Sequence, residues 1–79
     1  MINFSIKNSG NTTRSRDGQL KYNQYAETPA GKVLATISPR LQPDGAYSSK
    51  AMSVCHIDGS VDIVFSEEEA SEAIAAKLI

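Results

Sequence analysis

Residues 51–65 read Ala-Met-Ser-Val-Cys-His-Ile-Asp-Gly-Ser-Val-Asp-Ile-Val-Phe. Two runs of alternating character flank Asp58-Gly59, and a short Asp-Gly step between such runs marks a hairpin. Taken as a two-residue turn, it sets Ile57 opposite Ser60, His56 opposite Val61, Val54 opposite Ile63 and Met52 opposite Phe65. One face then collects Met52, Val54, His56, Val61, Ile63 and Phe65. The other collects Ser53, Cys55, Ile57, Ser60, Asp62 and Val64. The apolar face is expected in the core, and the division depends on register, because a one-residue slip turns a whole strand over.

The chain then changes period. Ser66 followed by Glu69 is a capping box: the hydroxyl can accept the N–H three residues on, while the carboxylate reaches back. Glu67, Glu68 and Glu69 fill the first turn, where the helix dipole favours negative charge. Ala70, Ala73, Ile74, Lys77 and Leu78 recur at spacings of three and four, which predicts a helix over 66–79 lying on the sheet through Ile74 and Leu78. Phe65 and Ala70 are placed for a hydrophobic staple.

Upstream, Ile2, Phe4 and Ile6 alternate with Asn3, Ser5 and Lys7, the pattern of a half-buried strand. Residues 8–18 hold no large apolar side chain and read as a polar, basic loop or arm ending in Asp17-Gly18. A weak strand over 12–16 would set Arg14 opposite Lys21. Residues 19–27 and 32–38 read as two strands joined by Thr28-Pro29-Ala30-Gly31. Pro29 suits a type I turn and Gly31 the left-handed place after it, which pairs Tyr25 with Ala35 and Ala26 with Leu34. Residues 39–49, with Pro39 and Pro43, read as a second loop. No internal repeat stands out. The sum is an α+β domain: an antiparallel sheet of about five strands with a single C-terminal helix on one face, or alternatively a small open β-barrel.

At 79 residues the chain has room for one domain. So short a chain buries about 60% of its unfolded surface, so support from self-association or a partner is expected. A lone cysteine, Cys55, excludes an internal disulfide, and with His56 as the only histidine a four-ligand structural zinc site is not expected. No run approaches the roughly 18 apolar residues of a membrane span, and the N-terminal residues do not form a signal peptide. The expected location is cytoplasmic, with no membrane partner.

The formal net charge of −1 hides two opposed halves. Residues 1–50 carry seven basic and three acidic side chains; residues 51–79 carry one basic and six acidic. Such asymmetry points to electrostatic docking surfaces. The acidic candidates for contact with a partner are Asp62, Glu67, Glu68 and Glu72, and the basic ones Arg14, Arg16, Lys21 and Arg40. The segment 7–25 also carries Tyr22 and Tyr25, and cations beside aromatic rings suit single-stranded nucleic acid. On one strand, however, the two tyrosines point to opposite faces.

No catalytic constellation emerges. Adjacent strand residues face opposite ways, so Cys55 and His56 cannot form a nucleophile–base pair. Glu68 and Glu72 share a helix face without a pocket, Gly31-Lys32 lacks a phosphate-loop pattern, and the acidic residues do not match a calcium loop. A metal site would need a dimer to bring two Cys55-His56 pairs together. No enzyme, cofactor or metal is expected. The expectation is a small non-enzymatic protein that binds another protein and masks its surface, including a basic surface meant for nucleic acid. By size and composition it is comparable to phage or mobile-element inhibitors of bacterial defence systems such as CRISPR. The alternative is a nucleic-acid-binding module working through 7–25. A homo-oligomer formed through open sheet edges is a further expectation.

Overall fold

Four hairpin loops of one design lay out the molecule. They join β1 (Ser5–Arg14), β2 (Leu20–Glu27), β3 (Val33–Leu41), β4 (Tyr47–His56) and β5 (Val61–Val64) into a single antiparallel meander in that order, and α1 (Glu67–Ala76) follows. The computed structural model describes residues 3–78, so Ile2 and Ile79, assigned above to the first strand and the helix end, lie outside the described residues. The architecture is the expected α+β arrangement, with an open sheet rather than a barrel.

In each loop three residues bridge the strands, and glycine takes the third place: Gly18, Gly31, Gly45 and Gly59, thirteen or fourteen residues apart and all near φ +90°. The glycine N–H donates to the carbonyl of the residue three before it, at Ser15, Thr28, Gln42 and His56. That same residue's N–H donates to the carbonyl beyond the glycine, at Gln19, Lys32, Ala46 and Ser60. This is a type I turn closed by a left-handed residue. Side chains fasten it: Asp17, Asp44 and Asp58 accept the N–H groups of Gln19, Ala46 and Ser60, and Thr28 accepts that of Lys32. The chain therefore does contain a repeat, written in its turns rather than its strands.

The turn at Asp58-Gly59 thus has three residues, not two, and this corrects the hairpin register. Met52 pairs with Val64, Ser53 with Ile63, Val54 with Asp62 and Cys55 with Val61. β5 is turned over relative to the expectation. Val64 and Asp62 join Met52, Val54 and His56 on the helix-covered face, and Val61 and Ile63 join Cys55 and Ser53 on the open face.

The core lies between sheet and helix. Ala26, Leu34, Ala35, Ile37, Val54 and Val64 pack with Ala70 and Ile74 of α1, flanked by Phe4, Ile6, Met52, Ala73 and Leu78. Ile37, Ile74 and Val54 are the largest fully buried side chains, each contributing about 1.5–3 kcal/mol by burial. Ser66 caps α1 as expected, its hydroxyl accepting the Glu69 N–H at 3.1 Å. The staple does not form: Phe65 is 64% exposed.

Three further expectations change. The supposed 8–18 loop is strand as far as Arg14, with a register break between Asn8 and Thr12; Arg14 pairs with Leu20, and Lys21 with Thr13. On the β2–β3 pair the ladder shifts at Leu34, so Ala26 meets Ala35 and Tyr25 meets Thr36; Leu34 and Ala35 are both buried, as a bulge permits. The 39–49 loop shrinks to the turn, and Pro39 lies within β3, opposite Met52. Proline is tolerated there because the β2 ladder has ended at Gln24–Ile37, which leaves β3 paired on one side only.

Candidate functional site

The flipped register of β5 creates the most distinctive surface of the molecule. Val61 is 55% exposed and Ile63 40%, with Phe65 just past the strand at 64%; Ile57, 64% exposed, lies apart from them, lining a small pocket with Leu34, Ile74, Lys77 and Leu78 on the helix side. Cross-strand partners share a face, so Val61 lies beside Cys55 on the open face, and Ile63 beside Ser53. Val33, opposite Glu27, adds another exposed apolar group on this face. A row of large apolar side chains in water is unusual for a small monomeric domain and marks interaction sites.

The backbone of β5 is open as well. His56 N–H donates to Ser60 C=O, and in an antiparallel ladder residues alternate between facing the partner strand and facing away. Ser60, Asp62 and Val64 therefore bond toward β4, while Val61 and Ile63 turn both N–H and both C=O groups outward. β5 is the last strand of the sheet, and these groups form its free edge.

Acidic groups adjoin this edge. Asp62 lies on the helix-covered face, where its Oδ2 is 2.8 Å from His56 Nε2. The His56 side chain is only 3% exposed and that of Asp62 48%. Asp62 therefore has a structural duty, supplying the partner that a buried imidazole needs. Glu67, Glu68 and Glu72 are exposed on α1. Lys77, beyond the helix, bonds Asp58 at 3.3 Å and ties α1 to the β4–β5 turn. The Asp58 carboxyl is held down at about 2, chiefly by the hydroxyl of Ser60, then by the Ser60 N–H, with Lys77 adding to the effect.

The basic candidates gather at the other end of the strands but do not share a face. Arg14, opposite Leu20, lies with Tyr22 on the helix-covered side of the sheet, beyond the helix; Lys21 and Arg40 alternate to the open side. Arg14 donates to Gly18 C=O at 2.9 Å. Arg16 is committed to Asp44 and Gln42, and its N–H bonds Tyr47 C=O, so the β1–β2 turn is tied to the start of β4. Lys7 is taken by Glu27 at 2.8 Å, a bond that holds the ammonium above the ordinary lysine range. Leu20, Tyr22, Leu41 and Tyr47 are exposed around this end. Tyr25 faces the opposite side from Tyr22 and lines an open groove of about 560 Å³ with Asn23, Thr36 and Ser38.

Cys55 is exposed and His56 buried on opposite faces, so two copies cannot bring four such groups to one ion without unpacking His56. Among the described residues there is no group of three or more His, Cys, Asp or Glu placed to hold a metal, and no helix long and apolar enough to cross a membrane. The sequence reading found the acidic and basic groups but missed Val61, Ile63 and Phe65 as a surface. The signal was present in the Gly59 spacing, which matches that of Gly31. Comparison with family models, curated proteins and solved structures returns no match.

Proposed function

We propose that this chain is a small non-enzymatic protein-binding protein that masks a surface of its partner through the β5 edge. The observation that carries this reading is the exposed apolar group Val61, Ile63 and Phe65 on and just beyond an unpaired strand edge. Apolar groups at the centre and charge at the rim are the usual anatomy of a protein interface. The adjoining glutamates speed association and select a basic partner surface. Occluding such a surface is the action of a small inhibitor, including the phage and mobile-element class considered above.

The test is affinity capture from a bacterial lysate with the wild-type chain and with the combined Val61→Ser, Ile63→Ser, Phe65→Ser variant, each first shown to be folded by amide NMR. A protein retained stoichiometrically by the wild type and lost with the variant is the expected result. Equal retention by both would remove the apolar row from the interface.

A second reading, nucleic-acid binding at the basic end, is favoured by exposed Tyr22 and Tyr47 near Arg14 and Arg16. It has fewer free cations than the sequence suggests, because Arg16 and Lys7 are already paired. Fluorescence anisotropy with labelled single-stranded DNA, duplex DNA and RNA decides it. Salt-sensitive binding that falls on Arg14→Ala with Arg16→Ala would put this reading first, and no binding at low salt would end it.

A further inference from the structure

We infer that the partner contributes an extended segment of alternating basic and apolar residues, which adds to β5 as a sixth strand of the sheet. The inference rests on the protein-binding reading above and names the chemistry of the occupant. Three features converge on it. Val61 and Ile63 face outward with unpaired N–H and C=O groups, which can template a strand but not a helix. Alternate side chains of a strand laid there fall on opposite faces. Those on the open face meet Val61 and Ile63, both exposed and apolar, with exposed Phe65 just beyond the end of the strand. Those on the other face meet the side that carries Asp62 and α1, with exposed Glu67, Glu68, Glu69 and Glu72. The complementary pattern is apolar on one side and lysine or arginine on the other.

A second copy of this chain is the competing occupant, and charge argues against it. From Val61 to Ala76 the chain has five acidic side chains and no basic one. Two-fold pairing of β5 with β5 would bring both sets together, and juxtaposed like charges oppose association. The β5 edge is therefore self-repelling while remaining open to a basic strand.

The experiment is a ¹H–¹⁵N NMR titration of the full chain with three synthetic peptides of equal length: one alternating lysine and valine, one alternating glutamate and valine, and one alternating lysine and glycine. The lysine–valine peptide is expected to shift the Val61 and Ile63 amides and slow their hydrogen exchange, with affinity falling as salt rises. The Ile63→Pro variant tests the geometry: its lost N–H points away from β4, so the β4–β5 ladder survives while strand addition is lost. Val61→Lys is the second variant, blocking the same edge by charge and bulk. Three results would overturn the inference: equal binding of the glutamate–valine or lysine–glycine peptide, no shift at Val61 and Ile63 at the highest soluble peptide concentration, or a concentration-dependent dimer in sedimentation that Ile63→Pro abolishes. If the peptide fails while the Val61, Ile63, Phe65 variant still loses a captured protein, strand addition falls and the masking function stands.

Discussion

The two edges of this sheet are built in opposite ways. β1 is ten residues long, exposes Lys7, Asn8, Asn11 and Arg14, and is broken in register between Asn8 and Thr12, around Gly10 at φ +89°. Charge and a bulge are recognised means of discouraging a second chain from pairing with an edge. β5 is four residues long and presents Val61 and Ile63 to water. Its only charged residue, Asp62, turns toward His56. α1 packs against β3, β4 and β5, while much of β1 extends past the core. The better-supported edge is therefore the one left adhesive, which is the arrangement expected of a rigid docking site on a small scaffold.

If the two sides of the sheet differ in support, core truncation must show it. Ile74→Ala removes the main side chain by which α1 grips the sheet, at a site with 1% exposure. It should cost about 2–5 kcal/mol. Ile6→Ala, in a half-buried place on β1, should cost about 1–2 kcal/mol. Urea denaturation of both variants measures the gap, and equal losses would erase the contrast.

Asp62 offers a more local break. Asp62→Ala leaves a buried His56 ring nitrogen without its partner, at about 1–3 kcal/mol. Its effect on binding a basic strand should be smaller than that of neutralising Glu67 and Glu68 together, because Asp62 is already engaged inside the chain. Thermal unfolding alongside the peptide titration separates the two effects. A stable Asp62→Ala variant that loses binding would reassign this residue from scaffold to contact.

The turn that sets the β5 register is tested at Gly59. A methyl group there meets no neighbour within 4 Å, so space is not the obstacle. The left-handed backbone is, at roughly 1–2 kcal/mol for an L-residue. Gly59→Ala should therefore lower stability by that amount. Phe65→Ala, at a side chain 64% exposed, should stay within about 0.5 kcal/mol of wild type while weakening partner capture. A large stability loss from Phe65→Ala would mean that the ring packs on the core and is not a free contact.

What was legible in the sequence followed from how local each signal is. Ser66 and Glu69 mark the helix start within one turn, and Thr28-Pro29-Ala30-Gly31 contains its whole loop geometry. Asp58-Gly59 fits both a two-residue turn and the last two places of a three-residue one, and the two differ by one step in register. That step decides whether Val61, Ile63 and Phe65 are core or surface. The resolving information lay in the other turns, because Gly18, Gly31, Gly45 and Gly59 share one spacing and one role. β1 beyond Lys7 reads in the sequence as loop, with a weak strand over 12–16 as its one sign, for a different reason. An edge strand with little to bury has no alternation to read, and cross-strand bonds such as Thr13 Oγ1 to Asn23 Oδ1 at 2.8 Å become visible only once the pairing is known. The shift at Leu34 likewise depends on tertiary packing.

The smallest effect tests whether the β5 turn is held by side chains as well as by glycine. Asp58 accepts the Ser60 hydroxyl at 2.6 Å and the Ser60 N–H at 2.8 Å, and its carboxyl is held at about 2, below the ordinary value of 3.8. A carboxyl depressed in the folded state stabilises the fold above its unfolded value, and that contribution disappears as pH falls through the folded value. The window here runs from about 4 down to about 2. Ser60→Ala removes the leading cause, so the Asp58 midpoint should rise toward the ordinary carboxylate range and the acid-side loss of stability should begin at higher pH. Lys77→Met removes a lesser contribution and should raise the midpoint less. Carboxyl ¹³C titration of both variants reads this order directly. If Lys77→Met moves Asp58 further than Ser60→Ala, the turn is held from the helix and not from within, and the β5 edge is set by α1 instead of by its own hairpin.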